Sequence, residues 1–383
     1  MSPRPLLSSS LRSISPEQID ELIGGLSRRG YEVIGPTLRD GAIVYDRIFA
    51  GAELPKGWGD EQQAGKYQLK KRQDGALFGY SVGPHAWKKF LFPSISQIWK
   101  AQRVDGHFRV LTEAPESTKR AFLGVRACEL HALAIQDQVF LDSVYVDSAY
   151  KARRENVVVI AVNCTEPGGT CFCDSMGTGP QVSAGYDVLL TEIFSGGEHR
   201  LLVDAGTPIG EQLMAEIPSQ AATKEEVAAG GAALENAARH MGRAMATSGL
   251  KELLYRNIEN PRWDALAERC LSCANCTLVC PTCFCSTIED CTDLAGQRAE
   301  RIRKWDSCFT TDFSYIHGGS VRATPRSKFR QWMMHKLAYW SDQFGTAGCT
   351  GCGRCITWCP AGIDITEEVR AIRDSEATAS ISL

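Results

Sequence analysis

The sequence predicts a mixed chain of α/β and α+β character: an N-terminal α/β domain over residues 1–215, a helical connector over 216–262 and a cysteine-rich metal domain over 263–383. Three observations carry that prediction. Strand-like and helical patterns alternate up to about residue 210, as they do in parallel α/β units. A capped helical pattern then opens at Thr223. Beyond Arg262 the composition shifts, and twelve of the sixteen cysteines fall there.

The first element is a helix. Ser15-Pro16-Glu17-Gln18 is a capping-box-like start with proline at the first helical position, and Ile19, Leu22, Ile23 and Leu26 recur at helical spacing before Gly30. Strand-like runs follow at Gly41–Ile48, His107–Thr112, Ala121–Arg126 and Val157–Asn163, with a helical stretch, Cys128–Phe140, between the last two. Two short strands, "YDVLLT" and "HRLLVDAG", close the domain. In the connector, Thr223 and Glu226 form a second capping box, and Leu234, Ala237, Ala238, Met241 and Met245 share one helical face. Gly230 and Gly231 cost this helix roughly 1 kcal/mol each relative to alanine, which predicts a kink. In the metal domain "SKFRQWMMHKLAYW" sets Phe329, Trp332, Met333, Leu337 and Trp340 on one face. It reads as a core-facing helix with a solvated basic side, Arg326, Lys328, Arg330 and Lys336, and a docking surface is the alternative.

Composition narrows the function. The 383 residues are 44% hydrophobic with a net charge of −3, which provides no basic footprint for nucleic acid. The longest aliphatic run, Val157–Val162, is too short to span a bilayer, and the N-terminal stretch lacks the apolar core of a secretory signal. Cysteine richness in a chain of this size signals metal or redox chemistry in a reducing compartment, so a cytoplasmic location is expected. The first fifteen residues are basic, serine-rich and free of acids. They read as a frayed terminus, with a transit peptide as the alternative.

Cys270, Cys273, Cys276, Cys280 and Pro281 spell C-x2-C-x2-C-x3-C-P, and Cys349, Cys352, Cys355, Cys359 and Pro360 spell it again. In this spacing a tight loop directs three thiolates at three irons of one cubane, while the fourth points away and ligates the other cluster. One [4Fe–4S] cluster thus takes Cys270, Cys273, Cys276 and Cys359, and the other takes Cys349, Cys352, Cys355 and Cys280. The C-terminal domain is therefore expected to be a ferredoxin-like domain with two [4Fe–4S] clusters. Zinc fits three x2-spaced cysteines ending in Cys-Pro poorly, since a structural site wants two pairs, or a pair with histidines. Disulfides would need an oxidising compartment. Gly348, Gly351 and Gly353 would let backbone amides approach the sulfurs, or serve simply as turn glycines. A large insertion of 68 residues separates the two motifs and holds Cys283, Cys285, Cys291 and Cys308, which could bind another cluster or pack as small hydrophobes.

A third site is expected in the first domain. Cys128 follows the strand "AFLGVR" and Cys164 follows "VVVIAVN", so parallel strands would bring both thiols to the carboxyl edge of the sheet, where open α/β sheets place their ligands. A glycine-containing loop from Cys164 adds Cys171 and Cys173. Four thiols could close a third [4Fe–4S] site, although the spacing matches no standard cluster pattern and scattered buried cysteines are the bland alternative. Arg126 would offset thiolate charge or face solvent. His131 reads as a structural helix residue. Neither a G-x-G-x-x-G after a strand nor a G-x-x-x-x-G-K-[ST] occurs, so no nucleotide fingerprint is visible.

In order, "GPHAWKKFLFP", "GVRACELHAL", "YKARRENVVVIAVNCTEPGGTCFCDSMGTGP", "CLSCANCTLVCPTCFC", "WDSC" and "GCTGCGRCITWCP" resemble the beta subunit of cytoplasmic sulfhydrogenases and NAD(P)-linked [NiFe] hydrogenases, with the related iron–sulfur subunit of anaerobic sulfite reductase. The likeness runs from about residue 35 to 370. It implies an electron conduit, without catalytic residues of its own, between a flavin subunit that handles NAD(P)H and a partner carrying the terminal centre. That partner would be the small and large subunits of a [NiFe] hydrogenase, or a sulfur or sulfite reductase subunit. Glu129 stands where the family usually shows aspartate, a change not expected to alter thiolate ligation. The rivals are a self-contained iron–sulfur reductase and a zinc-stabilised interaction module.

Overall fold

The structure, a computed structural model, describes residues 11–111 and 118–381. Most of the serine-rich N-terminal stretch, residues 1–10, lies outside them, as does Thr112 of the predicted strand. Fourteen strands position the sites: β1 Arg12–Ile14, β2 Glu32–Arg39, β3 Ala42–Arg47, β4 Trp58–Gln63, β5 Lys66–Lys71, β6 Ile95–Val104, β7 His107–Leu111, β8 Arg120–Val125, β9 Val157–Val162, β10 Val188–Ser195, β11 Glu198–Ala205, β12 Gln220–Ala221, β13 Ser286–Thr292 and β14 Arg298–Trp305.

Eight of them form one mixed sheet in the order β12-β1-β11-β10-β9-β8-β2-β3. At its centre β2, β8, β9 and β10 are parallel, and antiparallel strands flank them. The parallel strands read as near-continuous apolar runs because both of their faces are buried. Arg120–Val125 and Val157–Val162 are buried almost throughout. The predicted first helix, Ile19–Arg28, is present behind a short 3-10 turn, and the Ser15 amide donates to Gln18 Oε1 at 2.8 Å.

The helix opened by Thr223 runs unbroken from Lys224 to Arg239, with Gly230 and Gly231 buried. It ends before the predicted Met241 and Met245. The chain there turns to bridge the two halves: Arg243 pairs with Asp364 at 2.7 Å and donates to Gly169 O at 2.9 Å. A helical continuation would break both contacts. Within the span predicted as connector, β12 also adds to the sheet edge beside β1.

A second sheet joins segments that the sequence keeps far apart. β6 and β7, from the first half, pair with β13 and β14, from the insertion between the cysteine motifs, in the order β13-β14-β6-β7. The 68-residue insertion is thus anchored on the N-terminal half. A second apolar core lies under the cysteine motifs and is built by Trp263, Phe329, Trp332, Met333 and Ile356, with Phe172 of the N-terminal Cys-Phe-Cys element fully buried among them.

Candidate metal centres

The two ferredoxin motifs fold alike. Each is a loop followed by one helical turn, Asn275–Leu278 in the first and Arg354–Thr357 in the second. Corresponding positions take left-handed backbone: Ser272 (φ 51°) and Ala274 (φ 67°) match Gly351 (φ 65°) and Gly353 (φ 73°). Glycine adopts this conformation freely, whereas serine and alanine carry strain of about 1–3 kcal/mol each, which persists only where the surroundings over-determine it. In the second motif backbone amides turn toward sulfur. Gly351 N donates to Cys349 Sγ, and Ile363 N to Cys359 Sγ, both at 3.4 Å.

Cys270, Cys273, Cys276 and Cys359 line one cavity of about 450 Å³ with Phe309, Phe329, Trp332 and Ile363. Two thiols of the second motif, Cys359 and Cys355, reach this cavity, and Cys359 is the one expected as its fourth ligand. In the second group Cys349, Cys352 and Cys355 interact electrostatically with one another or with Cys280, which is buried between the motifs. Burial pushes the Cys349 thiol up to about 12 and the Cys276 and Cys355 thiols well above their ordinary range. These thiolates therefore want a cation, which an iron–sulfur core supplies.

The N-terminal cysteines converge. β8 and β9 are adjacent and parallel, so Cys128 and Cys164 leave the sheet at one edge. With Cys171 and Cys173 they line a cavity of about 490 Å³, joined by Cys352 of the second motif. Arg126 does not face solvent. It is buried beside Cys164, its guanidinium donating to the backbone oxygens of Phe78, Tyr80 and Asn163. His131 is exposed on the helix Ala127–Phe140.

The second motif is built into this wall. Phe172 N donates to Gly351 O at 2.8 Å, and a Cβ on Gly353 would lie 2.4 Å from Thr170 O. Only glycine permits that approach. Glu129, whose role the sequence does not disclose, is the buried hub: it pairs with Arg354 of the second motif and accepts from Tyr45 Oη (2.6 Å), Trp87 Nε1 (3.0 Å) and the Arg126 amide (3.1 Å). A glutamate directly after a candidate ligand cysteine is the signal the sequence offers.

Among the insertion cysteines, Cys283, Cys285 and Cys308 gather beside Cys280, while Cys291 lies on the outer sheet opposite Glu300. The predicted core-facing helix is broken into Pro325–Met334, a π-turn His335–Tyr339 and Trp340–Phe344. Its apolar face is buried as expected, but Lys328 and Lys336 are buried too. Among the described residues no group of three or more cysteines, histidines and carboxylates is arranged to hold one metal ion. A cubane differs in that it spreads its four thiolates over four irons.

A family model for a 4Fe-4S dicluster domain matches residues 269–363, which contain both motifs and the insertion. The chain is 32% identical over 289 residues to sulfhydrogenase 2 subunit beta from Pyrococcus furiosus, covering 74% of this chain and 82% of that protein. A chain of the F420-reducing [NiFe] hydrogenase complex from Methanosarcina barkeri shows a remote likeness, with 9% identity and a TM-score of 0.36 over 66% of this chain and 96% of the other. No helix among the described residues is long and apolar enough to cross a membrane.

Proposed function

This chain belongs to the sulfhydrogenase beta-subunit family, and on that premise we propose that it is an iron–sulfur electron-transfer subunit with three [4Fe–4S] clusters in line. Cys270, Cys273, Cys276 and Cys359 would hold the first, Cys349, Cys352, Cys355 and Cys280 the second, and Cys128, Cys164, Cys171 and Cys173 the third. The observation that carries this reading is the placement of the second motif. Its Cys355 lines the first cavity and its Cys352 lines the N-terminal one, so the middle site shares a wall with each neighbour.

Bound clusters supply reversible one-electron transfer. The chain's own part is to hold and tune them. Phe309, Phe329, Trp332 and Ile363 give the first site an apolar wall. Amide donors at Gly351 and Ile363 stabilise thiolate charge. Arg126 and Arg354 set fixed positive charge beside the N-terminal and middle sites, which favours their more negative, reduced state. No residue is assigned to bond chemistry. The proposed partners are a flavin-containing NAD(P)H oxidoreductase subunit on one side and, on the other, the [NiFe] subunits of a hydrogenase or a sulfur or sulfite reductase subunit.

The test is an anaerobic assay of the reconstituted isolated chain with a viologen dye. The expected result is no dye reduction from NADH, NADPH or hydrogen, although dithionite bleaches the clusters. Robust reduction from any of the three by the pure chain would overturn the conduit reading.

A further inference from the structure

Cys283, Cys285 and Cys308 are absorbed by neither ferredoxin motif, yet the insertion is folded so as to bring them together. Cys283 and Cys285 lie just before β13, and Cys308 lies just after β14. The two strands pair antiparallel with Ser286 opposite Trp305, so the hairpin leaves at Cys285 and returns at Cys308. Asp306 N closes its base on Cys285 O at 2.9 Å. Cys285 and Cys308 interact electrostatically with each other, and Cys283 does so with Cys280 and Cys285; all four are free thiols.

Two lysines provide a second, independent observation. Lys88 and Lys336 are only 4% and 6% exposed. The Lys88 ammonium donates to Cys283 O at 3.1 Å and lies 4.1 Å from the Trp305 ring centroid. The Lys336 ammonium donates to Thr282 Oγ1 at 2.8 Å and to Gly348 O at 3.2 Å. Among the described residues no carboxylate pairs with either. Both face the thiols, Lys88 with Cys283 foremost and Lys336 with Cys280 and Cys283. Buried ammonium groups are retained where anions meet them, and the anions that the described residues offer in this pocket are thiolates.

We propose that Cys283, Cys285 and Cys308 hold a further [4Fe–4S] cluster on three thiolates beside the middle site, with Lys88 and Lys336 supplying its counter-charge and one iron left for a non-cysteine ligand. A cluster fits the three thiols better than a single ion, around which these side chains are not arranged. The hairpin then has a structural purpose. It carries Cys308 back to the Cys283–Cys285 segment, while Cys291, on the outer sheet, takes no part.

The experiment uses the full chain reconstituted anaerobically with ferrous iron and sulfide, compared with the double variant Cys283→Ala/Cys308→Ala and with Cys291→Ala. The double variant is expected to bind about four fewer irons and four fewer sulfides per chain while keeping the signals of the ferredoxin-motif clusters, and Cys291→Ala is expected to match the parent. Parent iron and sulfide content in the double variant overturns the proposal. Cys308→Ser, which preserves volume, guards against loss of fold. It should shift one reduced-state paramagnetic signal through oxygen ligation, and a spectrum identical to the parent's overturns the proposal as well. Iron lost on Cys164→Ala is counted separately, so this inference and the N-terminal site fail independently.

Discussion

Removing the carboxylate of Glu129 should uncouple the second motif from the N-terminal half. The side chain is 2% exposed and its four partners come from four segments: Arg354, Tyr45, Trp87 and the Arg126 amide. Glu129→Ala leaves the Arg354 guanidinium buried and unpaired, a change that costs about 3–5 kcal/mol. It also orphans a hydroxyl, an indole N–H and a backbone amide, at about 1–3 kcal/mol each if none relaxes. These costs share one cavity and do not add, so we expect a loss of about 5 kcal/mol, comparable with the whole stability of a typical domain. Glu129→Gln keeps an acceptor and removes the charge, and should cost about 1–3 kcal/mol. Cys352 is the next anion facing Arg354, so a loaded cluster there replaces part of the lost counter-charge. Both variants should therefore be hurt more in the iron-free protein than in the loaded one. Urea unfolding of both forms, followed by circular dichroism under anaerobic conditions, measures this. A Glu129→Ala midpoint displaced by the equivalent of less than about 1 kcal/mol, or displaced equally with and without iron, would refute the reasoning.

Further outcomes follow from the same geometry. Cys280→Ser should perturb the signal of the cluster held mainly by the second motif, and Cys359→Ser that held mainly by the first; low-temperature paramagnetic spectra showing each serine acting on its own motif instead would contradict the exchange. Gly353→Ala places a Cβ 2.4 Å from Thr170 O at φ 73°, so the second-motif and N-terminal signals should weaken together while the first cluster's stays, as iron counts and spectra would report. Burial pulls His335 down to about 4, so its neutral form is favoured in the folded chain; its contribution is present above the ordinary histidine range near 6.5 and is lost as pH falls toward 4. His335→Phe should flatten that acid limb of stability, by up to about 3 kcal/mol, in urea midpoints measured across that range.

The candidate sites could be located in the sequence where spacing and topology suffice. Two repeated C-x2-C-x2-C-x3-C-P runs point to a candidate ligand set because that spacing suits a cubane. Cys128 and Cys164 could be placed on one edge because parallel neighbours start and finish together. Long-range pairing was illegible. β6 and β14 carry mixed, half-exposed residues without clean alternation, and nothing local says that Lys100 will face Glu300. Ser272 and Ala274 hid their left-handed backbone, since neither residue type signals it; only alignment with Gly351 and Gly353 reveals the match. Lys336 belonged by pattern to a solvated face, but it is buried in the fold, where it meets thiols from two distant segments, Cys280 and Cys283 on one and Cys349 on the other. A fragment ending at 215 would also lack Cys352, Arg354 and β12, so the N-terminal site has to be tested in the full chain.

The iron content of that N-terminal site tests the three-cluster relay most directly. Full-length parent and Cys164→Ala, reconstituted side by side under anaerobic conditions, should differ by about four irons per chain, with one paramagnetic signal missing from the reduced variant and those of the two ferredoxin-motif clusters intact. Equal iron and superimposable spectra in the two proteins, both folded, would contradict a relay that ends at Cys128, Cys164, Cys171 and Cys173.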